Sequence, residues 1–85
     1  MPDRFPCPCC GFLTLSEKPP GTFVICPVCA WEDDNVQYDD PCYEGGANRV
    51  SLNEAKSNYL LFGARSRKDV LRVRPPNGDE RGATV

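Results

Sequence analysis

Two short cysteine loops, Cys7-Pro8-Cys9-Cys10-Gly11 and Cys26-Pro27-Val28-Cys29, constrain this chain more than anything else in it. Their outer members give C-x2-C, then fifteen residues, then C-x2-C, the spacing of a four-thiolate metal site. Two such loops can set four sulfurs at the corners of a tetrahedron about 2.3 Å from a zinc ion. Cys7, Cys10, Cys26 and Cys29 are therefore the expected ligands, and one structural Zn2+ is the expected cofactor. A closed four-cysteine site has no open position for a substrate, so its usual work is folding. Gly11 suits the left-handed turn that follows such a loop. Ala30 stands in that place in the second loop and should tolerate the turn less well. Iron is the rival ion, because rubredoxins also hold their metal on two C-x2-C loops. The fifteen-residue gap is short for that fold.

A chain of 85 residues makes one small domain, and domains of this size often depend on disulfides or a metal. Six cysteines would serve a disulfide framework on number alone, but three are crowded between positions 7 and 10. Neighbouring cysteines seldom have the geometry for independent bridges. Met1-Pro2-Asp3-Arg4 leads into the first loop without an apolar run, so no signal peptide is expected, and no stretch is apolar enough to span a membrane. A reducing, cytoplasmic setting follows as the expectation. With no histidine in the chain, a His ligand, a Cys–His pair and a Ser–His–Asp triad are all excluded.

The loops bracket two apolar runs, Phe12–Leu15 and Thr22–Ile25, with the breakers Pro19-Pro20-Gly21 between them. This pattern predicts a β-hairpin with both cysteine pairs at one end, the zinc-ribbon arrangement. Residues 31–48 are acidic and rich in turn formers, which predicts a loop. Ser51 and Glu54 make a capping-box pattern. Leu52, Ala55, Tyr59 and Phe62 then recur at spacings of three and four, Leu60 widens the stripe, and Gly63 stands at the helix end. A helix over about 52–62 is predicted. Ser66 and Asp69 permit a further capped turn that Val70, Leu71 and Val73 could dock. Pro75-Pro76 ends regular structure, and 75–85 reads as a disordered tail. The expected fold is thus a small metal-stabilised α+β domain over 1–74: a zinc-ribbon-like hairpin with two cysteine knuckles, an acidic loop and one C-terminal helix.

Among the remaining reactive groups, Cys9 and Cys42 are spare thiols, better read as packing residues than as ligands. Asp33, Asp34, Asp39 and Asp40 lack the alternate spacing of a calcium loop and read as a turn-forming segment. Charge is uneven: residues 1–64 hold four Lys/Arg against nine Asp/Glu, a balance of −5, while 65–85 hold six against three, a balance of +3. Arg65, Arg67, Lys68, Arg72 and Arg74 form the only basic run. With Trp31, Phe12, Phe23, Tyr38 and Tyr43 it could serve single-stranded nucleic acid. The same aromatics could equally be a small core, and a basic segment beside an acidic body can simply balance charge.

Phe5-Pro6-Cys7-Pro8-Cys9-Cys10-Gly11-Phe12-Leu13-Thr14-Leu15, Ile25-Cys26-Pro27-Val28-Cys29, Trp31-Glu32-Asp33-Asp34, Gly45-Gly46-Ala47-Asn48 and Ser51-Leu52-Asn53-Glu54-Ala55 together resemble the cysteine-rich CPCC family of small bacterial proteins. The resemblance covers approximately residues 5–64. It implies zinc binding and a bacterial, cytosolic protein, and it carries over no catalytic residue. Cys42 lies outside the family pattern. Neither Trp31–Asp34 nor Gly45–Arg49 is required by metal binding. Either the acidic loop folds back over the ribbon, with Asn48, Arg49 and the Asp side chains satisfying its backbone, or it presents a surface to a partner. The function these features favour is a non-enzymatic, structural-zinc module that binds another protein. A nucleic-acid-binding zinc ribbon using the aromatics and residues 65–74 is the alternative, and a rubredoxin-like iron electron carrier is the second.

Overall fold

Each cysteine loop reverses the chain on its own, and the two do so in the same way. In the first, the Gly11 N–H donates to the Cys7 carbonyl (2.8 Å) and the Cys7 N–H to the Phe12 carbonyl (2.9 Å). In the second, Ala30 donates to Cys26 (2.8 Å) and Cys26 to Trp31 (2.9 Å). The closing residue is left-handed in both, at φ +80° for Gly11 and +74° for Ala30. These details come from a computed structural model that describes residues 4–82.

The arms of each loop pair with one another. Strands β1 (Phe5–Pro6) and β2 (Leu13–Leu15) run antiparallel, with Phe5 opposite Leu15, Pro6 opposite Leu13 and an irregular step between. Across the second loop Ile25 bridges Glu32, and Phe23 and Asp33 extend the pairing. The expected hairpin between 12–15 and 22–25 is therefore corrected. A two-stranded antiparallel hairpin is present, but it spans the first cysteine loop. The loop itself is the hairpin turn, so its own flanks are the nearest partners. The other edge of β2 is also occupied, since the Leu13 N–H donates to the Glu80 carbonyl (2.7 Å).

The acidic segment carries one short helix that its composition did not announce, α1 (Asn35–Asp39). Asp34 caps it, its Oδ1 accepting from the Val36 and Gln37 N–H groups at 2.7 and 3.1 Å. Helix α2 (Leu52–Phe62) begins and ends where its capping residues put it: Ser51 Oγ accepts from the Glu54 N–H (3.1 Å), and Gly63 takes a left-handed φ of +86°. Leu52 and Ala55 enter a core made of Leu15, Val28 and Trp31 with Cys7, Cys9, Cys26 and Cys29. Tyr59 meets Phe12 edge-on, the ring centroids 6.2 Å apart. Leu60 does not widen this stripe. It faces solvent, because the core-facing side of the helix is already filled by positions 52, 55 and 59.

The segment after α2 forms a 3₁₀ helix, Arg67–Arg72. Polar groups rather than Val70 and Leu71, which are exposed, hold it in place. Buried Asp69 accepts from Arg65 Nε (2.8 Å) and from Ser66 Oγ (2.6 Å). The expectation of a disordered tail is not met over 75–82. Glu80 is buried and forms a two-pronged pair with Arg74 at 2.8 and 2.7 Å, and it also accepts from the Asn77 N–H (3.0 Å). Residues 83–85 of that expected tail lie outside the described residues. No helix among the described residues is long and apolar enough to cross a membrane.

Two outcomes follow for stability. Left-handed backbone costs a non-glycine residue roughly 1–2 kcal/mol, partly offset by the flexibility of glycine. Ala30→Gly should therefore raise stability by about 0.5–1 kcal/mol and Gly11→Ala lower it by about 1 kcal/mol, read by denaturant unfolding of the metal-loaded protein. The Arg74 guanidinium holds the Glu80 carboxyl below its ordinary value. A carboxyl depressed by folding stabilises above its unfolded pKa and loses that contribution as pH falls through the folded one. Glu80→Gln should cost about 1 kcal/mol or less at neutral pH, Arg74 being partly exposed, and the difference from wild type should vanish on acidification.

Candidate metal centre

The two reversals bring their cysteines face to face. The sulfurs of Cys7, Cys10, Cys26 and Cys29 all lie within 4.8 Å of one another. Cys7 Sγ and Cys29 Sγ are 3.6 Å apart, and Cys10 Sγ and Cys26 Sγ 3.8 Å. A tetrahedron with metal–sulfur bonds of about 2.3 Å has edges of about 3.8 Å. Two of the six edges are thus near their final length, and the longest separations need contract by only about an ångström. The four cysteines can hold a metal ion in a setting that is mostly buried, with only Cys10 partly open.

The surroundings suit negatively charged sulfur. Backbone N–H groups point at three of the ligand atoms: Cys9 at Cys7 Sγ (3.4 Å), Val28 at Cys26 Sγ (3.4 Å) and Trp31 at Cys29 Sγ (3.5 Å). The Thr14 hydroxyl lies 3.0 Å from Cys26 Sγ. Donors of this kind spread the charge of a thiolate and orient it. The thiols also compete for protons. Contacts with Cys10, then Cys29 and Cys7, hold Cys26 well below the ordinary thiol range. Cys7 and Cys10 are pushed above it, chiefly by Cys10 and by Cys26 respectively. A divalent cation removes that competition, because it lets all four ionise together.

The other expected residues fall into place around this cluster. Cys9 is buried beside it, outside the group of four. Cys42 is exposed within the acidic segment, where Asn53 Nδ2 approaches its sulfur at 3.4 Å. Asp33 and Asp34 are buried and satisfy backbone groups, whereas Asp39 and Asp40 are exposed. The acidic segment does fold back on the second loop. Asn48 is the clasp: its Oδ1 accepts from the Glu32 N–H (2.9 Å) and its Nδ2 donates to the Glu32 carbonyl (2.8 Å), as a neighbouring strand would. Gln37 gathers the turn by donating to the carbonyls of Tyr43 (2.9 Å) and Val50 (2.8 Å). The Ala47 N–H donates to Asp34 Oδ2 (2.8 Å). Gly46 passes so close that a Cβ there would sit 2.6 Å from Asp34 Oδ2. Arg49 takes no place in this clasp and is exposed.

Three residues at the site escaped the sequence reading. Thr14 left a faint signal, a hydroxyl between two leucines in an apolar strand. Gln37 left none, and Arg65 stands out in the sequence only as part of the basic run. Arg65 ties the C-terminal segment to the second loop, its N–H donating to the Cys29 carbonyl (2.8 Å) and its Nη1 to Asn48 Oδ1 (2.6 Å).

Serine at Cys7, Cys10, Cys26 or Cys29 should remove metal and fold together, since binding energy is folding energy in such domains. Elemental analysis with far-ultraviolet circular dichroism reads both. Cys9→Ser and Cys42→Ser should keep one ion per chain. Thr14→Val should keep the fold and weaken metal affinity about tenfold, measured by chelator competition. Full affinity in that variant would sink the role given to the hydroxyl.

None of the curated proteins matches this chain. The family model described as cysteine-rich CPCC matches residues 5–80, a span that runs from β1 through both cysteine loops and α2 to the Glu80 anchor. By that match the chain belongs to the cysteine-rich CPCC family.

Proposed function

We propose that the chain is a structural-zinc module that binds another protein and performs no catalytic step of its own. Four thiolates fill a tetrahedral shell and leave no position for a substrate, which supports a folding role for the ion. Zinc is the ion we assign, with Cys7, Cys10, Cys26 and Cys29 as its ligands. Iron on the same sulfurs would make an electron carrier, and a ferric tetrathiolate is red whereas zinc is colourless.

The observation that carries the binding role is Phe23. It sits at φ +57°, a region where a bulky residue is an outlier costing roughly 1–3 kcal/mol, and yet 53% of it is exposed. Asp33 holds it there. The Asp33 carboxylate accepts from the Thr22 N–H (3.0 Å) and hydroxyl (2.8 Å), and its carbonyl accepts from the Phe23 N–H (2.9 Å). Strain of this kind gathers where a side chain has to be presented. Ile25, on the same arm of the second loop, is 59% exposed. The neighbouring segment is acidic, so a partner with an apolar and basic surface is the best complement. Nucleic acid has less to grip. Trp31 is buried, and Arg65 and Arg74 already pair with Asp69 and Glu80.

Tagged protein captured from its native lysate should retain one protein that survives nuclease treatment. Phe23→Ala with Ile25→Ala should lose that protein while keeping one zinc per chain. Capture abolished by nuclease would move the function to nucleic acid, and a red, iron-loaded protein would move it to electron transfer.

A further inference from the structure

The segments that flank helix α2 carry opposite charges, and exposed leucines stand at one of its ends. At its start, the Asn53 N–H donates to the Pro41 carbonyl (3.0 Å), which ties the turn bearing Asp39, Asp40 and Glu44 to this end. All three acids are exposed. At the other end, Leu60 is 85% and Leu61 78% exposed, and in the 3₁₀ helix that packs on α2, Leu71 is 97% exposed. Arg67, Lys68 and Arg72 are exposed around them, with the Arg67 guanidinium 4.6 Å over the Phe62 ring. Acids before a helix and bases after it suit the direction of its dipole. The dipole does not explain three leucines left almost wholly in water, a grouping that marks an interaction surface.

We infer that the chain pairs with a second copy of itself, antiparallel along the outer face of α2. Reversing one copy lays its acidic turn on the basic end of the other, twice over, and a two-fold axis makes both contacts identical. Ser57 stands midway between Asn53 and Leu61, exposed and small, where the two helices would cross most closely. Leu60 and Leu61 of each copy then cover the Asn53 end of the other. The face supplies few residues. A standard interface takes about 800 Å² from each partner, roughly a sixth of the 5141 Å² this chain exposes. Pairing is accordingly reversible, concentration-dependent and weakened by salt. It does not rest on the Phe23–Ile25 reading, and its test leaves both residues intact, so either can fail without the other.

Sedimentation equilibrium of the full, metal-loaded chain from micromolar to millimolar concentration tests this. A monomer–dimer equilibrium is expected, weakened roughly tenfold or more by Leu60→Asp with Leu61→Asp; these positions are exposed, so circular dichroism should stay unchanged. Arg67→Glu with Lys68→Glu, and separately Asp39→Lys with Glu44→Lys, should each be monomeric alone. Their equimolar mixture should form a heterodimer, because only the mixed pair is complementary at both ends. A monomer at every concentration overturns the inference, as does a dimer indifferent to the leucine changes. Growth beyond two copies would mean head-to-tail contacts instead. Binding of anionic vesicles or single-stranded DNA by a chain that stays monomeric, lost with the same leucines, would assign the face to that ligand.

Discussion

Four sulfurs held by two identical chain reversals are what the rest of this molecule is arranged around. Cys7, Cys26 and Cys29 are buried together with Leu15, Val28, Trp31, Leu52 and Ala55. The cysteine cluster and the apolar core are thus one object. Two strands as short as β1 and β2 cannot close a conventional core on their own. An ion held by the four sulfurs would supply the cross-links that a third and fourth strand would otherwise provide. Each reversal needs only six residues, two backbone hydrogen bonds and one left-handed position. That economy is what lets a β1 of two residues be a strand at all.

Around this centre, single side chains stand in for missing secondary structure. Asn48 bonds both backbone groups of Glu32, which would otherwise be a bare sheet edge. Gln37 binds carbonyls from three places in the acidic turn, and its Oε1 accepts from Asn48 in return. Both amides are buried, where an unpaired polar group is costly and a fully paired one fixes a single arrangement. This segment therefore behaves as part of the core although its composition is that of a loop.

The sequence announced elements whose signals are local. Ser51, the three- and four-residue spacings and Gly63 sufficed for α2, because capping and periodicity act within one helix. The C-x2-C pairs sufficed to bring four particular sulfurs together, because metal-site spacing is a local chelate property. Strand pairing was misread, since Phe12–Leu15 and Thr22–Ile25 look alike as β formers whichever partner they choose. The choice lay in the cysteine loops acting as turns. The clasp at Asn48 and Arg65 and the anchor at Glu80 depend on contacts between distant positions. One polar residue in a loop or tail carries no mark of that, so a buried Glu80 reads as disorder from sequence alone.

The C-terminal segment touches the second loop through backbone as well as side chains. Besides Arg65 and Cys29, the Arg74 N–H donates to the Pro27 carbonyl (3.3 Å). Carbonyls inside a metal loop are thus acceptors for amides some forty residues further on. Those amides exchange with solvent when these bonds part, either by opening of the loop or by release of the C-terminal segment. An ion on the sulfurs would hinder the first route, so exchange at residues 65 and 74 is linked to the state of the cysteine loop that carries their acceptors. The second cysteine loop, the clasp and the C-terminal segment are thus joined through the backbone as well as through side chains.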